Sequence, residues 1–438
     1  MEDILAARLQ MALSLGFHIV FACIGMVMPF FMATSHLLWI KTGNDVYKNL
    51  TKAWSKGVAI FFATGAVSGT VLSFELGLLW PTFMKHAGPI FGMPFSLEGT
   101  AFFIEAIALG FFLYGWNIFD KWFHWFTGVV VGLSGLASGI LVVSANAWMN
   151  SPAGFDYVNG AYINVDPIAA MFNDAWLSQS IHMTLAAFAA TGFAVAGVHA
   201  AMIYQQKNVR FHMKAFKIAA VFAAVASLLQ PLSGDHSAKD VAIRQPAKLA
   251  AMEAHFHTER GADLIVGGIP NAKEQTVDYA IKLPGMLSWL AFGDTEAEVK
   301  GLNDIPADFH PPVAVVHYAF QIMVGIGGLL ALISLLFFVA LRKSHWLTQK
   351  WFLMLFTLAT PLGFIAVEAG WTVTEVGRQP WIIYGVMKTA DAVTPMPGIA
   401  WSFYLFTAVY LSLSFVVVYL LHRQIKVVPV VYDKPTST

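Results

Sequence analysis

ALSLGFHIVFACIGMVMPFFMATSHLLWI, residues 12–40, contains no Asp, Glu, Lys or Arg. An α-helix rising about 1.5 Å per residue needs roughly 20 apolar residues to cross a hydrocarbon core of about 30 Å, and this run exceeds that. No basic segment precedes it and no small-residue cleavage site follows, so it reads as a retained membrane helix and not a signal peptide. Comparable stretches lie near 56–80, 96–118, 125–148, 178–204, 215–233, 312–341, 351–373 and 397–421. The expected fold is an all-α integral membrane bundle of nine transmembrane helices. Its parts are helices 1–6 (residues 1–233), a polar loop (234–310), and helices 7–9 with a tail (311–438).

Composition agrees. With 57% hydrophobic and 12% charged residues, the chain has too little polar surface for a soluble globule of 438 residues. A formal net charge of zero gives no basic footprint for nucleic acid. Cys23 is the single cysteine, which excludes internal disulfides, c-type haem attachment and thiolate iron–sulfur clusters. Any metal must therefore be held by His, Met or carboxylate.

Basic residues fix an expected orientation. Lys41, Lys48, Lys52 and Lys56 follow span one, Lys207, Arg210, Lys214 and Lys217 follow span five, and Arg342, Lys343 and Lys350 follow span seven. The alternate short loops are nearly free of them. By the positive-inside rule the N-terminus is outside and the C-terminus cytoplasmic, and the long loop lies outside, in a bacterial-type cell membrane.

Ionisable residues within the hydrocarbon are costly, so each is a functional candidate. His18, Glu98, His182, Met323 and Glu375 fall toward the outer ends of their spans, on the side of the loop. A lone transmembrane His serves equally well to hydrogen-bond a neighbouring helix, and Met is commonly filler. Together, though, these residues and the 14% aromatic content suit a large flat cofactor within a bundle. A His paired with Met323 can complete a six-coordinate haem. Glu98 and Glu105, two turns apart on one helix face, have the spacing of a proton relay, and Glu368 and Glu375 repeat it. Glu75 carries no assigned role. In GWTVTEVGRQPW, residues 370–381, Glu375 and Arg378 are i,i+3 neighbours flanked by Trp371 and Trp381.

Four strings, EGTAFFIE (98–105), SANAWMNSP (144–152), MVGIG (323–327) and GRQPW (377–381), together resemble subunit I of the cytochrome bd-type quinol oxidases. The resemblance runs from Arg8 to Trp381. It implies a haem-bearing subunit of a respiratory terminal oxidase that oxidises membrane quinol and reduces dioxygen to water. It implies His18 and Glu375 as axial ligands of two high-spin haems, and His182 and Met323 as ligands of a low-spin haem b. Two haems b and one haem d, or a third b-type haem, are expected. By the same resemblance Glu98 and Glu105 lie near the oxygen-reducing haems, with Glu98 also a candidate iron ligand. Lys248 and Glu253, in KLAAMEA, match a quinol site, and Arg378, Trp371 and Trp381 lie near the haems. Subunit II, small single-helix subunits and lipid are the implied partners. The loop resembles the short quinol-loop type, and Gln321 stands where some relatives have Arg, which implies one cation fewer near the low-spin haem. The rival readings are a transporter or channel lined by these acids and histidines, and a membrane cytochrome without oxygen chemistry.

Overall fold

The computed structural model describes residues 3–158, 161–393 and 398–432. Among these, nine helical stretches are long and apolar enough to cross a membrane. The first four are α1 (Asp3–Thr42), α2 (Asp45–Leu79), α3 (Pro81–Tyr114) and α4 (Lys121–Asn150). A short hairpin, β1 (Asp156–Val158) with β2 (Ala161–Ile163), and α5 (Pro167–Met171) lead to α6 (Trp176–Tyr204) and α7 (Val209–Arg244). Side-chain caps set several of these starts: Asn44 accepts from the Val46 amide, Asp120 from Trp122, and Asn208 from Phe211. α7 runs past the apolar stretch that ends near 233, so the first part of the polar segment is helical.

The loop has its own structure. α8 (Pro246–Met252) starts at a proline, and α9 (Met286–Phe292) lies among three short antiparallel pairs. These join β3 (Glu259–Arg260) with β8 (Glu298–Val299), β4 (Leu264–Val266) with β7 (Ile281–Leu283), and β5 (Ile269–Asn271) with β6 (Thr276–Asp278). α10 (Val313–Arg342) then crosses back. Span eight is broken at Thr360–Pro361 into α11 (Lys350–Ala359) and α12 (Leu362–Val376), where Pro361 has no amide to donate, whereas Pro29, Pro89, Pro94 and Pro231 lie inside continuous helices. A hairpin, β9 (Trp381–Ile383) with β10 (Met387–Lys388), and α13 (Thr389–Ala392) precede the final helix α14 (Ile399–Tyr432).

Small residues let the backbones of the central helices meet. A Cβ on Gly192 would stand 2.8 Å from Ala223 Cα, and one on Gly363 would collide with Ala190. Phe193, Phe216, Phe337 and Phe356 fill the space between α6, α7, α10 and α11, with Phe216 and Phe356 edge to face at 4.9 Å. A second core, around Trp80, Phe83, Phe91, Trp148 and Ile383, lies at the loop end of α3 and α4. α14 packs mainly on α1 and α2, through Phe17 against Tyr410 and through Gln424 donating to the Ala53 carbonyl.

Candidate haem and quinol site

The loop end of α4 carries two amides, Asn146 and Asn150, one turn apart. Asn150 Nδ2 donates to the Asn146 carbonyl at 3.0 Å and to its side-chain oxygen at 3.1 Å. Asn150 Oδ1 accepts from Lys248 Nζ at 2.7 Å, and its backbone carbonyl accepts from Gln245 Nε2 at 2.6 Å. On the other side, Asn146 Nδ2 donates to Glu375 Oε1, and Arg378 Nη2 donates to Glu375 Oε2. A continuous polar chain thus runs Lys248–Asn150–Asn146–Glu375–Arg378, from the loop to the end of α12. The i,i+3 pairing of Glu375 with Arg378 is as expected, although the helix ends between them at Val376.

This chain is dry. Lys248, Glu253, Asn150 and Arg378 are all buried. Burial, reinforced by the Arg378 charge and opposed by Glu375, brings the Lys248 ammonium down to about 7. Burial alone pushes the Glu253 carboxyl up to about 8, and its Oε2 has no hydrogen-bond partner among the described residues. Burial also lowers Arg378, which Glu375 opposes. Its Nε and Nη1 are buried and unpaired among the described residues, a demand for a further anion. Lys248 and Arg378 are thus two buried cations at the two ends of one hydrogen-bonded chain.

The other candidates are placed separately. His18 Nδ1 meets Ser68 Oγ of α2 at 2.8 Å, leaving Nε2 free of hydrogen bonds among the described residues. Its ring lies against Gly69, where a Cβ would come within 3.2 Å. Glu98 accepts from Ser138 of α4 at 2.9 Å, and buried Glu105 faces Gly135 of the same helix. The two acids share one face of α3, as their spacing required, and no hydrogen bond joins them. Glu75 is buried and accepts from Gln10 at 2.9 Å. Glu368 projects toward Gly16 of α1. His182 is held by Gln230 and Ser233 of α7, with Gln230 Nε2 3.1 Å from its Nε2. Met323 Sδ packs over Gly370, where a Cβ would stand 2.8 Å away. Trp371 is half-buried, and Trp381 stacks on Phe309 with ring centroids 5.2 Å apart. Gln321 is engaged by the loop: it accepts from the Gly267 amide at 3.1 Å and donates to the Ile265 carbonyl at 2.9 Å. One turn earlier, fully buried His317 faces the carbonyls of Met252 at 2.8 Å and Gly267 at 3.2 Å. α10 therefore clamps the loop segment that carries Glu253.

Sequence reasoning did not single out Asn146, Asn150, Gln245, Ser68, Gln230 or His317. The signal for the first two was available: amides four residues apart in a transmembrane helix share a face and need partners.

The model of cytochrome bd terminal oxidase subunit I matches residues 6–429. The chain belongs to that family. It is similar to the bd oxidase from Geobacillus thermodenitrificans, with a TM-score of 0.92 and 36% identity, covering 97% of this chain and 98% of that one. A Bacillus subtilis (strain 168) cytochrome bd ubiquinol oxidase subunit 1 is 31% identical over 97% of this chain and 94% of its own. Another protein of that organism, named provisionally as a menaquinol oxidase subunit I, is 37% identical over the full length of both. The transporter reading falls away, and the nine-span helical architecture is that of the solved oxidase. As a cytochrome bd subunit I, the chain is a multi-span haem protein of a bacterial respiratory membrane.

The residues present suit haem. His18 offers an unbonded imidazole nitrogen and Met323 a thioether. Ideal Cβ positions at Gly325, Gly327 and Gly328 meet nothing within 4 Å, leaving room along α10. The orphaned donors of Arg378 match a propionate. His182 and Glu375 are donors of the right class whose atoms are engaged here by Gln230, and by Asn146 and Arg378.

Proposed function

We propose that the chain Lys248–Asn150–Asn146–Glu375–Arg378 couples a quinol site in the loop to the haem-bearing end of α12, and that this coupling is the working centre of the subunit. The enzyme is a quinol:oxygen oxidoreductase. Two quinols are oxidised while one dioxygen becomes two waters, with four electrons and four protons in balance. Subunit II is its partner, and small single-helix subunits complete the proposed assembly.

In this reading Glu253 and Lys248 address the quinol head group. Buried Glu253, with a free Oε2, accepts a quinol proton in its ionised form. Lys248, anchored by Asn150, balances the negative charge that develops on the ring. His317 holds the Met252 carbonyl beside Glu253, and Gln321 holds β4 further along the loop. His182 and Met323 would hold a low-spin haem b, and His18 and Glu375 the two high-spin haems, one b and one d or both b. Haem bound by these ligands supplies one-electron transfer and an open iron position for dioxygen. Arg378 would neutralise propionate, with Trp371 and Trp381 close by. Glu98 and Glu105 hold protons for the oxygen side, Glu98 also being a candidate ligand.

The proposed orientation puts the N-terminus outside and the C-terminus in the cytoplasm, so quinol protons leave outward while the protons of water come from within. Residues 234–310 form the quinol-binding part, of the short-loop type, between helices 1–6 (1–233) and 7–9 (311–438). The observation that carries the reading is the unbroken hydrogen-bonded path from Lys248 to Glu375. Quinol-driven oxygen uptake by the purified oxidase, with haem quantified as the pyridine haemochrome, tests it. Uptake that persists unchanged in Lys248→Met or Asn150→Leu would refute the coupling.

A further inference from the structure

α7 starts at the end of the bundle opposite the loop, and its first turns present Arg210, Lys214 and Lys217 at spacings of four and three, hence on one face. They rim a cavity of about 560 Å³ between α1, α2 and α7. Lys214 Nζ sits 4.3 Å above the ring of Tyr47, at the start of α2, which fixes one of the cations over the opening. Among the described residues no carboxylate lies within 4.0 Å of any of the three. No ion pair among the described residues engages these three cations.

The character of the cavity changes along α7. Past the cations it is lined by apolar side chains that include Val221, 40% exposed, and Phe222. From Arg210 to Lys217 the charged rim spans about 10 Å of helix, and from Lys217 to Phe222 the apolar part continues for about 8 Å, within the roughly 15 Å of hydrocarbon in one leaflet. A charged rim joined to an apolar groove about 8 Å deep suits the phosphate and the first methylenes of a phospholipid. A free anion would leave the apolar half bare, and an apolar helix would leave the three cations without a counter-charge.

We propose that this groove binds one anionic phospholipid, its phosphate among Arg210, Lys214 and Lys217 and an acyl chain along Val221 and Phe222. Basic pockets between membrane helices on the positively charged side recognise such head groups, each cation contributing about fivefold in affinity.

Native mass spectrometry of the whole oxidase, subunit II included, tests this after exchange into nanodiscs of phosphatidylcholine doped with phosphatidylglycerol. The wild type should retain one more phosphatidylglycerol than the triple variant R210Q/K214Q/K217Q, whose affinity falls on the order of a hundredfold. Val221→Trp, which fills the apolar half and leaves the cations in place, should lose the same lipid. Millimolar inorganic phosphate should not displace it, and quinol oxidase turnover in detergent should match the wild type in both variants. Equal retention by all three proteins would overturn the proposal. So would displacement by inorganic phosphate, which marks a soluble-anion site, or crosslinking of Val221→Cys to subunit II, which marks a covered face.

Discussion

Replacing Asn150 with leucine removes the acceptor that Lys248 Nζ meets at 2.7 Å and leaves a buried ammonium without that partner. A hydrogen bond to a charged group is worth about 1.5–3 kcal/mol, and one pKa unit about 1.4 kcal/mol, so the ammonium should fall by roughly 1–2 units from its value of about 7. The sign is downward because the lost bond stabilised the charged form. If turnover needs Lys248 charged and Glu253, near 8, ionised, few molecules hold both states at once. The profile of kcat/KM is then a bell centred at about pH 7.5. Lowering Lys248 by 1–2 units moves the centre down by about half that amount and cuts the peak by roughly 7- to 60-fold. Quinol-dependent oxygen uptake between pH 5.5 and 9.5, on enzyme whose haem spectrum matches the wild type, measures both. An optimum that stays put with an undiminished peak would refute the role given to the Lys248–Asn150 bond.

Three further outcomes follow from the same geometry. Glu253→Gln should lose the acid limb of the profile and about 10²-fold in kcat/KM, read in the same assay, since a carboxamide cannot take up a proton. Gln321→Leu breaks the bond to Ile265 of β4 and the bond from Gly267 just after it. The quinol KM should rise several-fold with the dithionite-reduced haem spectrum unchanged, and hydrogen exchange at residues 264–267 should quicken. Met323→Leu should abolish the low-spin signature in the reduced-minus-oxidised spectrum while the high-spin bands persist, with KM for quinol near the wild-type value.

The spans were legible in the sequence because each is an apolar run longer than a leaflet pair, and a membrane leaves few other ways to bury one. Their ends were not. α7 continues beyond its apolar stretch to Arg244, since helical geometry persists in water where caps and tertiary contacts support it. The break at Pro361 was not legible, because Pro29, Pro89, Pro94 and Pro231 sit inside continuous helices. The loop strands, two or three residues each, are too short for any periodicity to show. Within the site, Glu375 and Arg378 could be paired from spacing alone, and Glu98 with Glu105 placed on one face. What joins Lys248 to Glu375 could not, because Asn146 and Asn150 come from a helix more than 90 residues before Lys248, brought alongside only by packing. Gln321 looked like a lost charge. In the fold its amide is a strap across the loop, a role visible only once β4 lies beside α10.

α14 seals a flank of α1, the helix that carries His18, through Phe17 against Tyr410 and through a bond spanning 371 residues from Gln424 to Ala53. That flank is therefore closed by a helix whose Gln424 lies 371 positions beyond the residue it meets, so an early helix owes part of its packing to a distant one.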